Sequence, residues 1–165
     1  MELKYFDTEC QVDYPIGDCY SCNTYHYVKE VSKMINRTFP EGKLILVARG
    51  SSGTILAGGI AYSLSRKGRN VIIAVSRKPG EIAHSPSLAS IDFYTEGIFI
   101  VIDDFISSGD TLDLIIRDLQ RVKSNIQLDM LCVNNYWNSS DCDKGARVQS
   151  LLQNFKYVYC NKLKK

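Results

Sequence analysis

The sequence has no long apolar run. The longest are Leu44–Ala48, Val71–Val75 and residues 98–102, far short of the ~18 residues that a membrane-crossing helix takes. The amino-terminal stretch carries Glu2, Asp7, Glu9, Asp13 and Asp18 and nothing resembling the apolar segment of a secretory signal. A cytoplasmic chain with no membrane partner is expected. An excess of one charge is also lacking, since 20 Lys and Arg against 18 Asp and Glu leave a formal +2. A dedicated nucleic-acid binder concentrates positive charge, so no nucleic-acid partner is expected. Internal repeats and low-complexity tracts are missing, and apolar residues recur along almost the whole length, which argues against long disorder. Two common phosphate-binding signatures are absent as well. Gly42-Lys43 runs into Leu44, which excludes G-x-x-x-x-G-K-[ST], and no G-x-G-x-x-G occurs.

What is present is an ordinary globular make-up of 165 residues, 45% hydrophobic and 23% charged. That length corresponds to a single domain, 1–165, with enough chain to bury a core without covalent staples. The six cysteines are Cys10, Cys19, Cys22, Cys132, Cys142 and Cys160. Cys19 and Cys22 form a C-x-x-C, and with Cys10 and His26 they have the make-up of a four-ligand zinc site. No second C-x-x-C exists, and reduced cysteines without metal are the preferred reading.

Short apolar runs alternate with amphipathic segments. Val28, Val31, Met34 and Ile35 recur at helical spacing and predict a helix over residues 25–37. Residues 43–49 (KLILVAR) read as a strand, and Leu56, Ile60 and Leu64 line a helix ending near Gly68. A second strand is expected over 70–77 (NVIIAVSR) and a third over 98–103, with a polar stretch from Lys78 to Gly97 between them. That stretch is too long for a simple connection and reads as a mobile lid. Leu112, Ile115, Ile116, Leu119 and Val122 predict the next helix, residues 127–133 a fourth strand, and Val148, Leu151, Leu152 and Phe155 a last helix before residues 157–160. Strands apolar throughout and separated by helices indicate an α/β fold of Rossmann-like kind, a mainly parallel sheet flanked by helices. Ligands of such sheets sit beyond the carboxyl ends of the strands.

The strongest chemical signal lies at such an end. The third strand delivers Asp103 and Asp104, and Ser108-Gly109-Asp110-Thr111 then opens a helix. Hydroxyls, a glycine and unpaired N–H groups at a helix start make a phosphate cradle. Acids beside such a cradle suit a ligand that brings hydroxyls or a metal, as a sugar phosphate with magnesium would. Read singly, the two halves are an Asp-Asp turn and a serine-capped helix. Joined at this spacing they resemble the type I phosphoribosyltransferase family, whose signature is an apolar run, two acids, two apolar residues and a Thr/Ser-Gly-x-Thr loop. Here these are Ile100-Val101-Ile102, Asp103-Asp104, Phe105-Ile106 and Ser107-Ser108-Gly109-Asp110-Thr111.

The resemblance implies a magnesium-dependent transferase of nucleotide salvage, forming a homodimer and using 5-phosphoribosyl 1-pyrophosphate as co-substrate. Asp103 and Asp104 would take its 2′- and 3′-hydroxyls and lie by the metal, and residues 107–111 would wrap its 5′-phosphate. Asp110 departs from the pattern, because an acid there adds negative charge near a phosphate unless it points away. Ala48-Arg49-Gly50, with Ser51-Ser52-Gly53 after it, resembles the family's pyrophosphate loop. That loop often holds a non-proline cis peptide, which would fall between Ala48 and Arg49. Arg77-Lys78 stands where members carry cations ahead of the catalytic loop, so Arg77 and Lys78 join the acids as candidate catalytic residues. The lid would span about 78–97, and a small base-binding hood would come from about 1–24 and 134–165.

The base stays open between a purine, an adenine-like base and orotate. Ser107 stands where enzymes of 6-oxopurines usually have an Asp. The Arg49 segment leans toward the adenine type, while Arg77-Lys78 and His84 partly resemble the orotate type. Trp137 is positioned to stack on a base, or else packs within its loop. The alternative to an enzyme is a regulator of the same fold that binds phosphoribosyl pyrophosphate or a nucleotide without turnover.

Overall fold

All five side chains of Leu44–Ala48 are buried, and a run with no polar alternation fits only a strand covered on both faces. The structure, a computed structural model, describes residues 1–6, 22–77, 96–122, 128–136 and 143–161. Its strands are β1 (Glu2–Phe6), β2 (Leu44–Ala48), β3 (Val71–Val75), β4 (Ile98–Ile106), β5 (Leu128–Tyr136) and β6 (Phe155–Asn161). Its helices are α1 (Cys22–Thr38), α2 (Gly50–Ser65), α3 (Asp110–Val122) and α4 (Asp143–Leu152). The strands form one sheet in the order β1-β6-β5-β4-β2-β3, and every neighbouring pair is parallel. Among the described residues, no helix is long and apolar enough to cross a membrane.

Strand side chains point alternately to the two faces. Leu44, Leu46, Ala48, Ile100 and Ile102 pack with Val31, Ile35, Leu56 and Ile60 of α1 and α2. Ile45, Val47, Phe99 and Val101 pack with Ile115, Leu119, Val148 and Leu152 of α3 and α4. This division follows from handedness. The β2–α2–β3 crossover runs toward one edge of the sheet, whereas β4–α3–β5 and β5–α4–β6 run toward the other. Right-handed crossovers leading in opposite directions put their helices on opposite faces. The reversal falls between β2 and β4, and the carboxyl ends of those strands flank the crevice where open α/β sheets take ligands.

One feature widens that crevice. Pairing between β2 and β4 runs from Leu44–Ile98 to Val47–Val101, while β4 goes on beside β5 to the Ile106–Tyr136 pair. The last turns of β4 therefore have a strand on one side and the crevice on the other. Arg69 fastens the opposite end of the molecule, donating to Asn36 Oδ1 at 2.9 Å and to the Phe39 and Gly42 carbonyls that follow α1.

Several boundaries differ from the sequence reading. β4 continues through Ile106 and β5 through Tyr136 because each supplies the other's ladder partners, so Asp104 joins Asp103 within the strand instead of following it. The last helix stops at Leu152. The Asn154 side chain caps the Leu151 carbonyl at 2.9 Å, and Phe155 starts β6. β1 had no expected counterpart, and it pairs in register with β6 from Glu2–Tyr157 to Phe6–Asn161. The described parts of the two chain ends fall in β1, the start of α1, the end of β5, α4 and β6, and the rest of the expected hood lies outside the described residues. Lys78, His84, Trp137, Cys10, Cys19 and most of the expected lid lie outside the described residues.

Candidate functional site

Four adjoining pieces build the site: the end of β4, the loop after it, and the first turns of α2 and α3. Asp103 and Asp104 are each only 8% exposed. The Asp104 amide donates to Asp103 Oδ1 at 2.9 Å, and the fully buried Tyr27 of α1 donates its hydroxyl to the Asp103 carbonyl at 2.9 Å. Burial, helped by the neighbouring Asp104 carboxylate, pushes the Asp103 carboxyl up to about 8. Among the described residues no salt bridge reaches either acid.

Asp103 therefore costs the apo protein stability at neutral pH. Its ordinary value is 3.8, so between pH ~4 and ~8 the folded chain holds a proton that the unfolded chain has released, and stability falls as pH rises through that window. Asp103→Asn removes the effect. The variant is expected to gain stability over the parent progressively from pH 5 to pH 8, by at most about 1.4 kcal/mol per pH unit. Denaturant unfolding at several pH values measures this, and a constant difference would contradict the assignment.

The loop after β4 makes the cradle. A cavity of about 130 Å³ is bounded by residue 103 and residues 105–112, with Ser107, Asp110 and Thr111 exposed and Gly109 and Leu112 buried. Gly109 takes φ +83 and its carbonyl accepts from the Asp113 amide at 2.8 Å, closing the first turn of α3. The amides preceding that bond have no acceptor within the helix, which is the arrangement that receives an anion. Ser108 Oγ donates to Asp110 Oδ2 at 2.7 Å, and Arg147 of α4 pairs with Asp110 Oδ1. The Ser108 hydroxyl, followed by Arg147, holds the Asp110 carboxyl below the usual carboxylate range.

Across the crevice, α2 starts at Gly50 with Arg49 as its extended N-cap, and no side chain caps the first turn. The segment 50–53 is thus helix rather than free loop, and its amides add a second helix N-terminus to the same edge of the sheet. The packing is close: a Cβ placed on Gly53 would lie 3.1 Å from the Ile102 carbonyl oxygen. The cis peptide expected between Ala48 and Arg49 is not found, since every described peptide is trans. Arg49 is extended at φ −140 and ψ 142, and the reversal into the helix is made at Gly50 with φ +74.

Arg49 Nη1 donates to Ser76 Oγ at 2.7 Å and to the Arg77 carbonyl at 2.8 Å. It also lies 3.5 Å from Asp118 Oδ2 of α3, with its side chain only 9% exposed. Ser76 in turn donates to Asp118 at 2.5 Å. The network joins the ends of β2 and β3 to α3, so the structure ties Arg49 to the Arg77 segment instead of leaving it on a free loop.

Sequence reasoning missed Tyr27, Ser76, Asp118 and Arg147, each of which braces a predicted site residue from a distant element. The zinc set is not assembled within the described residues, because Cys10 and Cys19 lie outside them. Among those described, no group of three or more His, Cys, Asp or Glu is placed to hold a metal. Cys132 and Cys160 are free and buried. A larger groove of about 540 Å³ runs between α1 and α2 beside Tyr25, Lys29, Tyr62 and Arg66, and none of the carboxyl-edge residues lines it.

No family model matches the sequence, and no curated protein matches it. Solved structures do. The adenine phosphoribosyltransferase of Saccharomyces cerevisiae, complexed with an imino-altritol bisphosphate and adenine, aligns with a TM-score of 0.57 at 12% identity, over 84% of this chain and 77% of that one. A hypoxanthine phosphoribosyltransferase from Staphylococcus aureus aligns with a TM-score of 0.47 at 15% identity, over 86% and 74%. The first likeness shows the fold: an α/β domain of the type I phosphoribosyltransferase kind.

Proposed function

We propose that the chain is a phosphoribosyltransferase, moving the 5-phosphoribosyl group from 5-phosphoribosyl 1-pyrophosphate to a ring nitrogen of a base. The observation that carries this reading is one crevice flanked by a buried acid pair on β4 and an anion cradle at the start of α3, in a fold shared with an adenine phosphoribosyltransferase. Asp103 and Asp104 accept hydrogen bonds from the ribose hydroxyls. The amides of residues 107–111, with the hydroxyls of Ser108 and Thr111, receive the 5′-phosphate. The first turn of α2, Arg49, Arg77 and Lys78 serve the pyrophosphate, Arg49 by holding the Arg77 segment in place. As the C1–oxygen bond breaks, its electron pair leaves with pyrophosphate, and the ring nitrogen closes on C1 and gives up its proton to solvent. Asp104, as a nearby carboxylate, favours the developing positive charge.

The acids also fit magnesium. Two buried carboxyl groups with no salt bridge among the described residues are the hard oxygen donors such an ion shares with substrate oxygens. When bound, it would neutralise pyrophosphate and ease its departure. The reading further takes the protein as a cytoplasmic homodimer, with the base held by parts of the chain ends including Trp137. The adenine in the yeast neighbour and the Ser107 departure both favour an adenine-like acceptor over a 6-oxopurine.

Pyrophosphate release, measured with magnesium, phosphoribosyl pyrophosphate and a panel of adenine, hypoxanthine, guanine and orotate, tests the proposal. Release with adenine above hypoxanthine and guanine is the expected result. Tight binding of phosphoribosyl pyrophosphate with no release for any base would instead favour a ligand-binding regulator. Absence of both binding and release would overturn the assignment.

A further inference from the structure

The cradle contains an acid of its own. Asp110 occupies the first position of α3, and its carboxylate already takes the Ser108 hydroxyl at 2.7 Å. Asp113 adds a second acid to the same turn. Anionic side chains there satisfy the helix N-terminus internally and repel an incoming phosphate. Two arginines answer them. Arg117 pairs with Asp113 at 3.0 Å from one turn along α3. Arg147 reaches over from α4, pairing with Asp110 and standing 3.3 Å from Asp113. The same face of α4 supports the loop through apolar contact, since a Cβ on Gly109 would meet Leu151 at 2.8 Å and Val148 at 3.5 Å. Arg147 and Leu151 are four apart, hence on one helix face.

We propose that Arg147 is the counter-charge of the phosphate cradle: by pairing with Asp110 it offsets the repulsion between that carboxylate and an anion held by the loop amides. Arg147 is a positioning residue and does not itself touch the phosphate. This rests on the functional reading above and extends it to a residue outside the family-like motif. It also accounts for the Asp at a loop position where extra negative charge is otherwise a handicap. The acid and its arginine act as a unit, and losing the arginine alone leaves an uncompensated negative charge beside the binding site.

Calorimetric titration of the full chain with ribose 5-phosphate and with phosphoribosyl pyrophosphate tests this. The variants are Arg147→Met, Arg147→Lys, Asp110→Asn and the double variant Asp110→Asn with Arg147→Met. Arg147→Met is expected to weaken both ligands about three- to tenfold, the scale of one partly solvated charge a few ångströms away. Arg147→Lys should keep most of the affinity, because the charge remains. Asp110→Asn should bind as well as the parent or better, and the double variant should return to within about twofold of Asp110→Asn. In steady state, Arg147→Met should raise the KM for phosphoribosyl pyrophosphate and leave the KM for the base unchanged.

A double variant as weak as Arg147→Met would overturn the proposal, since Arg147 would then contact the phosphate directly. Unchanged affinity in Arg147→Met with a lowered melting temperature would overturn it too, leaving a purely structural strut. A parent chain that binds neither ligand would overturn the functional reading itself. A parent that binds while all the variants match it would sink this inference alone.

Discussion

Asp103→Asn combined with Asp104→Asn is expected to lower pyrophosphate release by about 10²- to 10⁴-fold while raising thermal stability at pH 8. Each carboxylate accepts a charge-assisted bond from a sugar hydroxyl in the proposed complex. Such bonds contribute about 1.5–3 kcal/mol apiece, and each ~1.4 kcal/mol corresponds to one decade of rate. The stability effect has the opposite sign because both acids are 8% exposed and no salt bridge among the described residues repays their desolvation. Acids kept for structure would behave differently, since their removal would lower stability. Release assays and unfolding curves on the same preparations separate the two cases. Full activity in the double variant would end the phosphoribosyltransferase assignment.

Gly109→Ala is the second large effect. At φ +83 an L-residue is strained by about 1–2 kcal/mol, and the new methyl would come 2.8 Å from Leu151 Cδ1. A leucine tip can turn aside, so the backbone term dominates, and a total loss of about 1–3 kcal/mol of stability is expected. The loop can relieve the strain only by moving the amides on either side of residue 109, so affinity for ribose 5-phosphate should fall by tenfold or more. Adding Leu151→Ala should recover little, because the contact goes and the dihedral strain stays. Lost stability with unaltered ligand affinity would place this loop outside the binding site.

The part of the site readable in advance was the contiguous part. Asp103, Asp104 and residues 107–111 follow a buried strand directly, and a strand end, two acids and a capped helix start are all local patterns. Their supports are not local. Tyr27 reaches the Asp103 carbonyl across 76 positions, Ser76 meets Asp118 across 42, and Arg147 meets Asp110 across 37. A tyrosine at helical spacing or a lone arginine on a short amphipathic helix carries no sign of such a partner.

By itself the sequence determined the order of strands and helices, their burial on both faces and the chemistry delivered at the end of β4. Those properties are set by side-chain period and by residues within a few positions of one another. The tertiary structure alone decided that β1 pairs with β6, since the alternation of a five-residue segment is too short to name its partner and the strand forms where an edge is offered. It also decided that β4 outruns β2 to open the crevice, and that Arg147 stands against Asp110. Register and inter-helix contact depend on how whole layers stack, and no local stretch of chain encodes that.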